Sequence, residues 1–447
     1  MANKLFGTDG VRGVANQYPM TADFATKLGT ACGLEVCKNY KKVAIARDTR
    51  VSGEMLQSAL TAGFLSAGID VLLLGVLPTP ALTCIVEDLD VDMAVMITAS
   101  HNPYFDNGIK LIGANGDKFA DEVTAKLEDM VAKADFVLSS EKLGKIVDCQ
   151  EGLVMYLQKA KQFAAEDRPL SGLRVVLDCA NGSFAKIMPQ VFMDLGAGVI
   201  CLGNEPNGYN INENCGSQHP EMMFETVKNA KAQLGIAVDG DGDRLLVCDD
   251  LGRKIPAEQL MTFMVKYLQK IGKYRGNAVV STVLSNTAME RYIKNMGLEY
   301  YSTKVGERAI VAKMQEVGCG LGGEESGHIV WSDCCKSGDG MVNALLFCMA
   351  LKDDGRKVSE IFPLFEFDPC VFVSLPVETR EKVKEIANCE DVKKVVAEAE
   401  DKMRGIGRVV LHPSGTEPKI RVWVAGCDES LVKEVSDMII NEIKKRS

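Results

Sequence analysis

Short apolar runs rich in β-branched residues recur along this chain and alternate with helical patterns. That alternation restricts the folds open to it more than any other feature. Residues 43–46, 93–97, 174–177, 236–238, 278–281 and 408–411 each read as a strand running into a polar or glycine-rich segment. Between such runs, apolar spacing predicts helices over 52–65 and 221–234. Strands separated by helices build sheets covered by helices, with the working residues on loops at strand ends. The fold class expected is therefore α/β. At about 150 residues per domain the length suggests about three domains, and breaks read at 164–172, 250–252 and 362–369, the last punctuated by Pro363 and Pro369.

Composition excludes several function classes. A chain that is 47% hydrophobic and 25% charged is neither disordered, collagen-like nor coiled coil. Its 61 acidic and 51 basic residues give a net charge of −10, which argues against nucleic acid as the main partner but not against a small anion in one cleft. The apolar stretch 69–78 is broken by Asp70 and Pro78, and no run approaches the roughly 18 residues of a spanning helix. Residues 1–4 lead straight into a glycine-rich turn without an apolar leader, so no membrane partner and a cytoplasmic location are expected. The fifteen cysteines are scattered without C-x-x-C spacing, and adjacent Cys334 and Cys335 make a poor ligand pair. They read as reduced, mostly buried small hydrophobes.

Asp239-Gly240-Asp241-Gly242-Asp243-Arg244 is the most informative segment. In an extended stretch after a strand, alternate residues point the same way, which would aim three carboxylates at one spot. Two carboxylates about 4 Å apart repel by roughly 4 kcal/mol at an effective dielectric of 20. The cluster therefore calls for wide solvation or a hard cation, and oxygen-only ligands suit Mg²⁺ better than Zn²⁺. An EF-hand is excluded, because Arg244 stands where its loop needs glycine and 245–248 reads as a strand.

Thr98-Ala99-Ser100-His101-Asn102-Pro103 places a serine at a strand end beside a histidine. That is the setting of an exposed nucleophile, and equally of a turn serine bonded to its own backbone. Asn107-Gly108-Ile109-Lys110 reads as a tight turn that brings Lys110 back to the same end. Leu411-His412-Pro413-Ser414-Gly415-Thr416-Glu417-Pro418 reads as a strand and a small-residue loop, either an anion nest or a plain turn. The loop 322–328 offers Glu324, Ser326 and His328, groups suited to sugar hydroxyls. Residues 6–13 fold tightly enough to present Arg12, and 304–308 puts Lys304 and Arg308 in one expected loop. A nucleophilic serine, a hard-metal loop, a polar loop, an anion nest and several cations together suit phosphoryl transfer on a small phosphorylated polyol.

The segments 6–13, 98–110, 239–244, 323–328 and 414–418, in this order, resemble the motifs of the α-D-phosphohexomutase superfamily over nearly the whole chain. Within it, 6–13 and 210–220 resemble the branch acting on glucosamine phosphates. The resemblance implies a heart-shaped molecule of four domains, 1–152, 153–252, 253–366 and 367–447. Three would be similar mixed α/β domains and the last a smaller α+β domain, around a central cleft. It implies that Ser100 carries a phosphoryl group and, with Asp239, Asp241 and Asp243, holds one Mg²⁺. It implies that Arg12, His101, Lys110, Arg244 and His328 line the catalytic centre, any of several moving the hydroxyl proton. Lys304, Glu324, Ser326, His412, Ser414, Gly415, Thr416 and Arg421 would bind substrate.

The implied reaction turns glucosamine 6-phosphate into glucosamine 1-phosphate through glucosamine 1,6-bisphosphate. That compound or another sugar bisphosphate would be the activator, and a homodimer is compatible with the family. The alternatives are a glucose- or mannose-phosphate mutase of the same mechanism and a catalytically weak phosphosugar binder. Two residues depart from the branch: His412 stands where arginine is usual, and Glu325 where glutamine is usual. A neutral imidazole lacks the two parallel bonds of a guanidinium, so weaker or pH-dependent phosphate binding is expected unless Arg421 substitutes.

Overall fold

The structure is a computed structural model that describes residues 5–7, 9–149, 151–161, 168–414 and 418–446. It divides into two compact units, one of Met1–Leu260 with Ser326–Ile361 and one of Met261–Glu325 with Phe362–Ser447.

In the first unit, β1 (Val11–Val14), β2 (Lys42–Arg47), β3 (Asp70–Val76), β4 (Met93–Ile97), β5 (Asp106–Gly113) and β6 (Ile146–Asp148) form a sheet of order β1-β5-β4-β2-β3-β6. Strands β2, β3, β4 and β6 run parallel, and β5 is antiparallel to both β4 and β1. Alternate residues on one face, including Val43, Ile45, Val71, Met93, Val95 and Ile97, pack on Phe24, Leu28, Leu56, Leu60 and Phe64 of the helices Ala22–Glu35 and Ser52–Ser66. These helices touch backbone to backbone: a Cβ on Gly63 would sit 2.2 Å from Thr26 O. A methyl group there would force the helices apart, an overpacking that costs about 1–3 kcal/mol.

The unit's second sheet has the order β11-β10-β9-β7-β8, from β7 (Arg174–Asp178), β8 (Gly198–Leu202), β9 (Leu234–Val238), β10 (Leu245–Cys248) and β11 (Lys254–Ile255). The expected break at 250–252 is a hairpin turn inside this sheet, because β11 pairs with β10. The helix expected over 221–234 ends at Ala230. Lys231 turns left-handed (φ 52°), and Leu234 pairs with Val175 at the start of β9.

In the second unit β12 (Ala278–Thr282) lies between the parallel strands β13 (Glu299–Thr303) and β14 (Leu321–Gly323). β15 (Ile329–Trp331) belongs to the first unit. The chain then supplies β16 (Cys370–Pro376), β17 (Gly407–Pro413) and β18 (Lys419–Gly426) as an antiparallel sheet of order β16-β18-β17. Val422 and Val424 of its inner face pack on Val383, Ile386, Ala399 and Ile439 of the helices Arg380–Asn388, Glu390–Met403 and Glu429–Lys444.

All fifteen cysteines are free thiols; eight are buried, and only Cys370 and Cys427 are exposed. No helix among the described residues is long and apolar enough to cross a membrane.

Candidate active site

The parallel strands β2, β3 and β4 end at one edge of their sheet, with Arg47 opposite both Val76 and Ile97. The segments that follow them are therefore neighbours. Leaving β4, Ser100 adopts a left-handed conformation, φ 53°. The surroundings fix it: its N–H donates to Thr98 Oγ1 (2.9 Å), and the Thr98 hydroxyl donates to Asp48 Oδ2 (2.7 Å). Arg50, with no exposed surface, threads the loop. Its Nη2 donates to Ser100 O (3.0 Å) and Asn102 O (2.8 Å), its Nη1 to Pro103 O and Asp106 O, and its Nε to Asp48. Asn212 Nδ2 donates to the same Ser100 and Asn102 carbonyls, at 2.9 and 3.0 Å. Clamped in this way, Ser100 directs its hydroxyl at Asp239 Oδ2 (2.7 Å), with His101 Nδ1 at 3.3 Å.

Asp239, Asp241 and Asp243 converge, with ligand oxygens all within 4.8 Å of one another. The expected reason was wrong in detail. The segment is a turn closed by Gly242 N–H to Asp239 O (3.1 Å), and its curvature rather than strand alternation gathers the carboxylates. Gly242 is required twice, by φ 79° and because a Cβ would lie 2.3 Å from the Phe184 ring. The Thr79 hydroxyl donates to Asp241 Oδ2 (2.6 Å).

Lys110 arrives from β5. Asn107 and Gly108 are already in this strand rather than in a turn before it, and the reversal falls earlier, among residues 101–105. Lys110 Nζ lies 2.7 Å from Asp241, 3.2 Å from Asp9 and 3.4 Å from Asp243. Asp9 also pairs with Arg12 and with Lys118 (2.8 Å). Arg244 Nε stands 3.9 Å and His328 Nδ1 3.7 Å from Asp243 Oδ1, while His328 Nε2 accepts from Gly338 N–H (3.2 Å).

Burial, then the charges of Asp243 and Asp241, push the Asp239 carboxyl well above the usual range. Burial works the same way on Asp243, but Lys110, His328 and Arg244 outweigh it and hold that carboxyl down. Burial also opposes charge on Lys110, yet Asp241, Asp9 and Asp243 keep it protonated. His101 is pushed down to about 4, first by burial and then by Arg244 and Arg12.

The triad has the chemistry of a hard-cation site. Oδ1 of Asp241 and Oδ1 of Asp243 are buried acceptors with no hydrogen-bond partner, and all the donors are oxygens. No other such cluster occurs among the described residues.

Of the remaining expected site residues, Ser326 belongs to the first unit, as does His328 described above, and Glu324 to the second. Glu324 is buried, with Gly306 N–H donating to its Oε2 (3.2 Å), which sets it against the segment carrying Lys304. Arg308 is in the first turn of the helix Glu307–Val317 rather than in a loop. Glu325 accepts from the Thr282 hydroxyl (3.1 Å). His412 lies one residue before the end of β17, directly opposite Arg421 on β18, and Ser414 N–H donates to Lys419 O (3.0 Å). Gly415 and Thr416 lie outside the described residues, as do Thr8 and residues 164–167 of the expected connection.

Sequence reasoning missed Asp9, Arg50, Thr79 and Asn212 as parts of the site. Asp48-Thr49-Arg50 directly follows β2, and Pro78-Thr79 comes one residue after its neighbour β3, so the rule that parallel strand ends share an edge pointed to both. Asn212 carried no such signal.

Four family models match in succession. They are phosphoglucomutase/phosphomannomutase alpha/beta/alpha domain I over residues 3–138, domain II over 154–252, domain III over 256–366 and the C-terminal domain over 373–442. The chain belongs to the phosphoglucomutase/phosphomannomutase family. Its four matched domains replace the three suggested by length.

Among family members, the phosphoglucosamine mutase of Mesorhizobium japonicum is 41% identical over 100% of this chain and 99% of its own. That of Phenylobacterium zucineum is 42% identical over 98% of each. A phosphoglucomutase/phosphomannomutase family protein from Burkholderia thailandensis shares the fold at TM-score 0.81 and 24% identity, over 99% of this chain and 97% of that one. The Aspergillus fumigatus N-acetylphosphoglucosamine mutase, solved with GlcNAc-6P and magnesium, shares it at TM-score 0.66 and 17% identity, over 99% and 96%.

Proposed function

We propose that this family member is a phosphoglucosamine mutase, converting glucosamine 6-phosphate to glucosamine 1-phosphate. The reaction rests on one observation, a serine hydroxyl 2.7 Å from a buried carboxylate triad that fits a hard cation. The choice of sugar rests on the full-length relatives. In this reading the four domains are 1–152, 153–252, 253–366 and 367–447, the enzyme works in the cytoplasm, and a homodimer is compatible with it.

Ser100 carries a phosphoryl group, gives it to the sugar O1 and takes the 6-phosphate back after the bisphosphate intermediate turns over. A sugar 1,6-bisphosphate therefore serves as activator. Asp239, Asp241, Asp243 and an oxygen of phospho-Ser100 would hold Mg²⁺, which when bound spreads the charge developing on the transferred group. Arg12, Lys110 and Arg244 supply fixed positive charge. Lys110, held protonated, cannot take a proton, whereas neutral His101 beside the Ser100 hydroxyl can. His328 has Nε2 committed to Gly338, so its Nδ1 carries the proton that faces Asp243. Glu324, Lys304 and Ser326 bind the sugar, and His412, Ser414, Gly415, Thr416 and Arg421 the phosphate that is not reacting.

The test is a mutase assay with Mg²⁺ and a trace of sugar 1,6-bisphosphate, comparing kcat/KM for glucosamine, glucose and mannose 6-phosphates. Glucosamine 6-phosphate should lead by two orders of magnitude, on the order of 3 kcal/mol in transition-state binding. A lead for glucose 6-phosphate would move the chain to a sister activity and give Glu325 the deciding part.

His412 makes a second expectation. Burial, then the Arg421 charge, hold its imidazole below the usual range, so it is neutral at pH 7. Protonation grows only as pH falls. The substrate phosphate titrates alike for both proteins, so the ratio of KM in wild type to KM in His412→Arg isolates residue 412. That ratio should exceed one at pH 8.5, hold near that level through pH 7 and shrink only as pH falls below the reference histidine value of about 6.5. A constant ratio would sink the idea.

A further inference from the structure

Two thiols far apart in sequence meet in the first unit. Cys84 lies in the helix Thr79–Ile85, and Cys335 follows β15. Cys84 Sγ donates to Cys334 O at 3.6 Å, and Cys335 Sγ donates to Pro80 O at 3.5 Å. Pro80 is one helical turn before Cys84, so each thiol bonds the backbone beside the other. Cys84 is partly exposed, and Cys335 is buried.

Lys159, from the helix Glu151–Lys161, donates to Cys84 O (2.9 Å) and pairs with Asp88 (2.5 Å). The neighbouring Cys335 thiol, helped by the Lys159 charge, holds the Cys84 thiol below its usual range. The neighbouring Cys84 and burial hold the Cys335 thiol above its usual range. A partly exposed thiol that a peroxide can reach, backed by a buried one, divides the pair into an attacking and a resolving sulfur.

We propose that Cys84 and Cys335 are an oxidisable dithiol, a modification site at which a hydroperoxide closes an intrachain disulfide. The Cys84 thiolate attacks the distal peroxide oxygen. The O–O bond breaks, the leaving oxygen takes a proton to become an alcohol or water, and Cys84 becomes a sulfenic acid. Cys335 then attacks that sulfur, an S–S bond forms, and the sulfenic hydroxyl leaves as water with the Cys335 proton. Two thiols are oxidised by two electrons, and the peroxide is reduced by two.

Both sulfurs sit on segments that hold the site. The helix of Cys84 begins at Thr79, which bonds Asp241. The chain after Cys335 reaches Gly338, which bonds His328, and Asp339, whose carboxylate caps the helix Gly340–Asp354 through Val342 N–H (3.0 Å). Drawing the sulfurs to a bond length of about 2.05 Å displaces both segments. The mutase rate should therefore fall, an effect that rests on the function proposed above, whereas the disulfide itself does not.

The experiment treats the native protein with hydrogen peroxide and maps its peptides without reduction. A Cys84–Cys335 linked peptide is expected, cleaved by dithiothreitol. In Cys335→Ser, Cys84 should remain a sulfenic acid that dimedone traps, and in Cys84→Ser neither product should form. Mutase turnover should fall by about tenfold or more on oxidation, the scale on which small displacements of reacting groups act. It should recover with dithiothreitol, and Cys84→Ser should keep its rate under peroxide. Recovery of Cys84 as free thiol or sulfinic acid, with no linked peptide, would overturn the modification site. A quantitative disulfide with undiminished turnover would overturn its connection to the active site.

Discussion

Ser100→Ala is expected to lower kcat by about four orders of magnitude or more, the scale seen when a covalent nucleophile is removed. Nearby hydroxyls are committed: Thr98 donates to Asp48, and Thr79 to Asp241. Neither is aimed as Ser100 is, at Asp239 with an imidazole beside it. Alanine keeps the loop, because the clamps on residue 100 engage its backbone N–H and carbonyl rather than its side chain. Sugar-phosphate affinity measured by calorimetry should therefore stay within a few-fold of wild type. Transfer of label from a sugar bisphosphate to the protein should disappear together with turnover. A binding protein with no phosphoryl chemistry would show no label in the wild type either, and retained turnover in Ser100→Ala would refute the nucleophile outright.

Elements that depend on local pattern were legible. β2, β4, β7, β9 and β12 fall on the apolar runs, because buried parallel strands need uninterrupted β-branched residues, and β17 of the antiparallel sheet falls on the run 408–411. The helix Ser52–Ser66 matched for a similar reason, an apolar stripe with polar flanks. Errors arose where a neighbouring strand decided the outcome. Leu234 fits the apolar spacing of a helix, but pairing with Val175 takes it into β9. Asn107 and Gly108 look like a turn, yet β5 is held on both edges, by β1 and β4, and extends through them.

The candidate site shows the same division. Ser100, Lys110 and the triad were visible as motifs, since their chemistry needs those side chains at those positions. Arg50 and Asn212 were not, because they act on backbone carbonyls, and a carbonyl leaves no mark in the sequence of the loop that offers it. Asp9 was passed over in favour of its partner Arg12, although it contacts both Lys110 and Lys118.

Arg50→Met should therefore show how much of the site depends on residues without reactive chemistry. The guanidinium bonds four carbonyls of the Ser100 loop and neutralises Asp48, itself without exposed surface. Methionine fills much of the volume and leaves Asp48 buried without its cation, a loss worth about 3–5 kcal/mol of stability. Burial already raises the Asp48 carboxyl, and the Arg50 charge opposes that rise. Without Arg50 the folded-state value climbs further above the unfolded one, so the folded protein gains stability by binding a proton. The deficit should shrink as pH falls towards and below that raised value and be fullest above it, which urea denaturation at pH 5 and pH 8 would read. The folded fraction of the variant should still turn over about 10²-fold more slowly, since the loop that aims Ser100 has lost its main anchor.

Asn212→Ala separates aim from stability. It removes the second donor to the Ser100 and Asn102 carbonyls without stranding a charge. Its stability cost should be about 1 kcal/mol, with kcat falling severalfold and KM little changed. If both variants, when folded, turned over at the wild-type rate, the left-handed turn at Ser100 would hold its geometry unaided, and the clamp would be structural only.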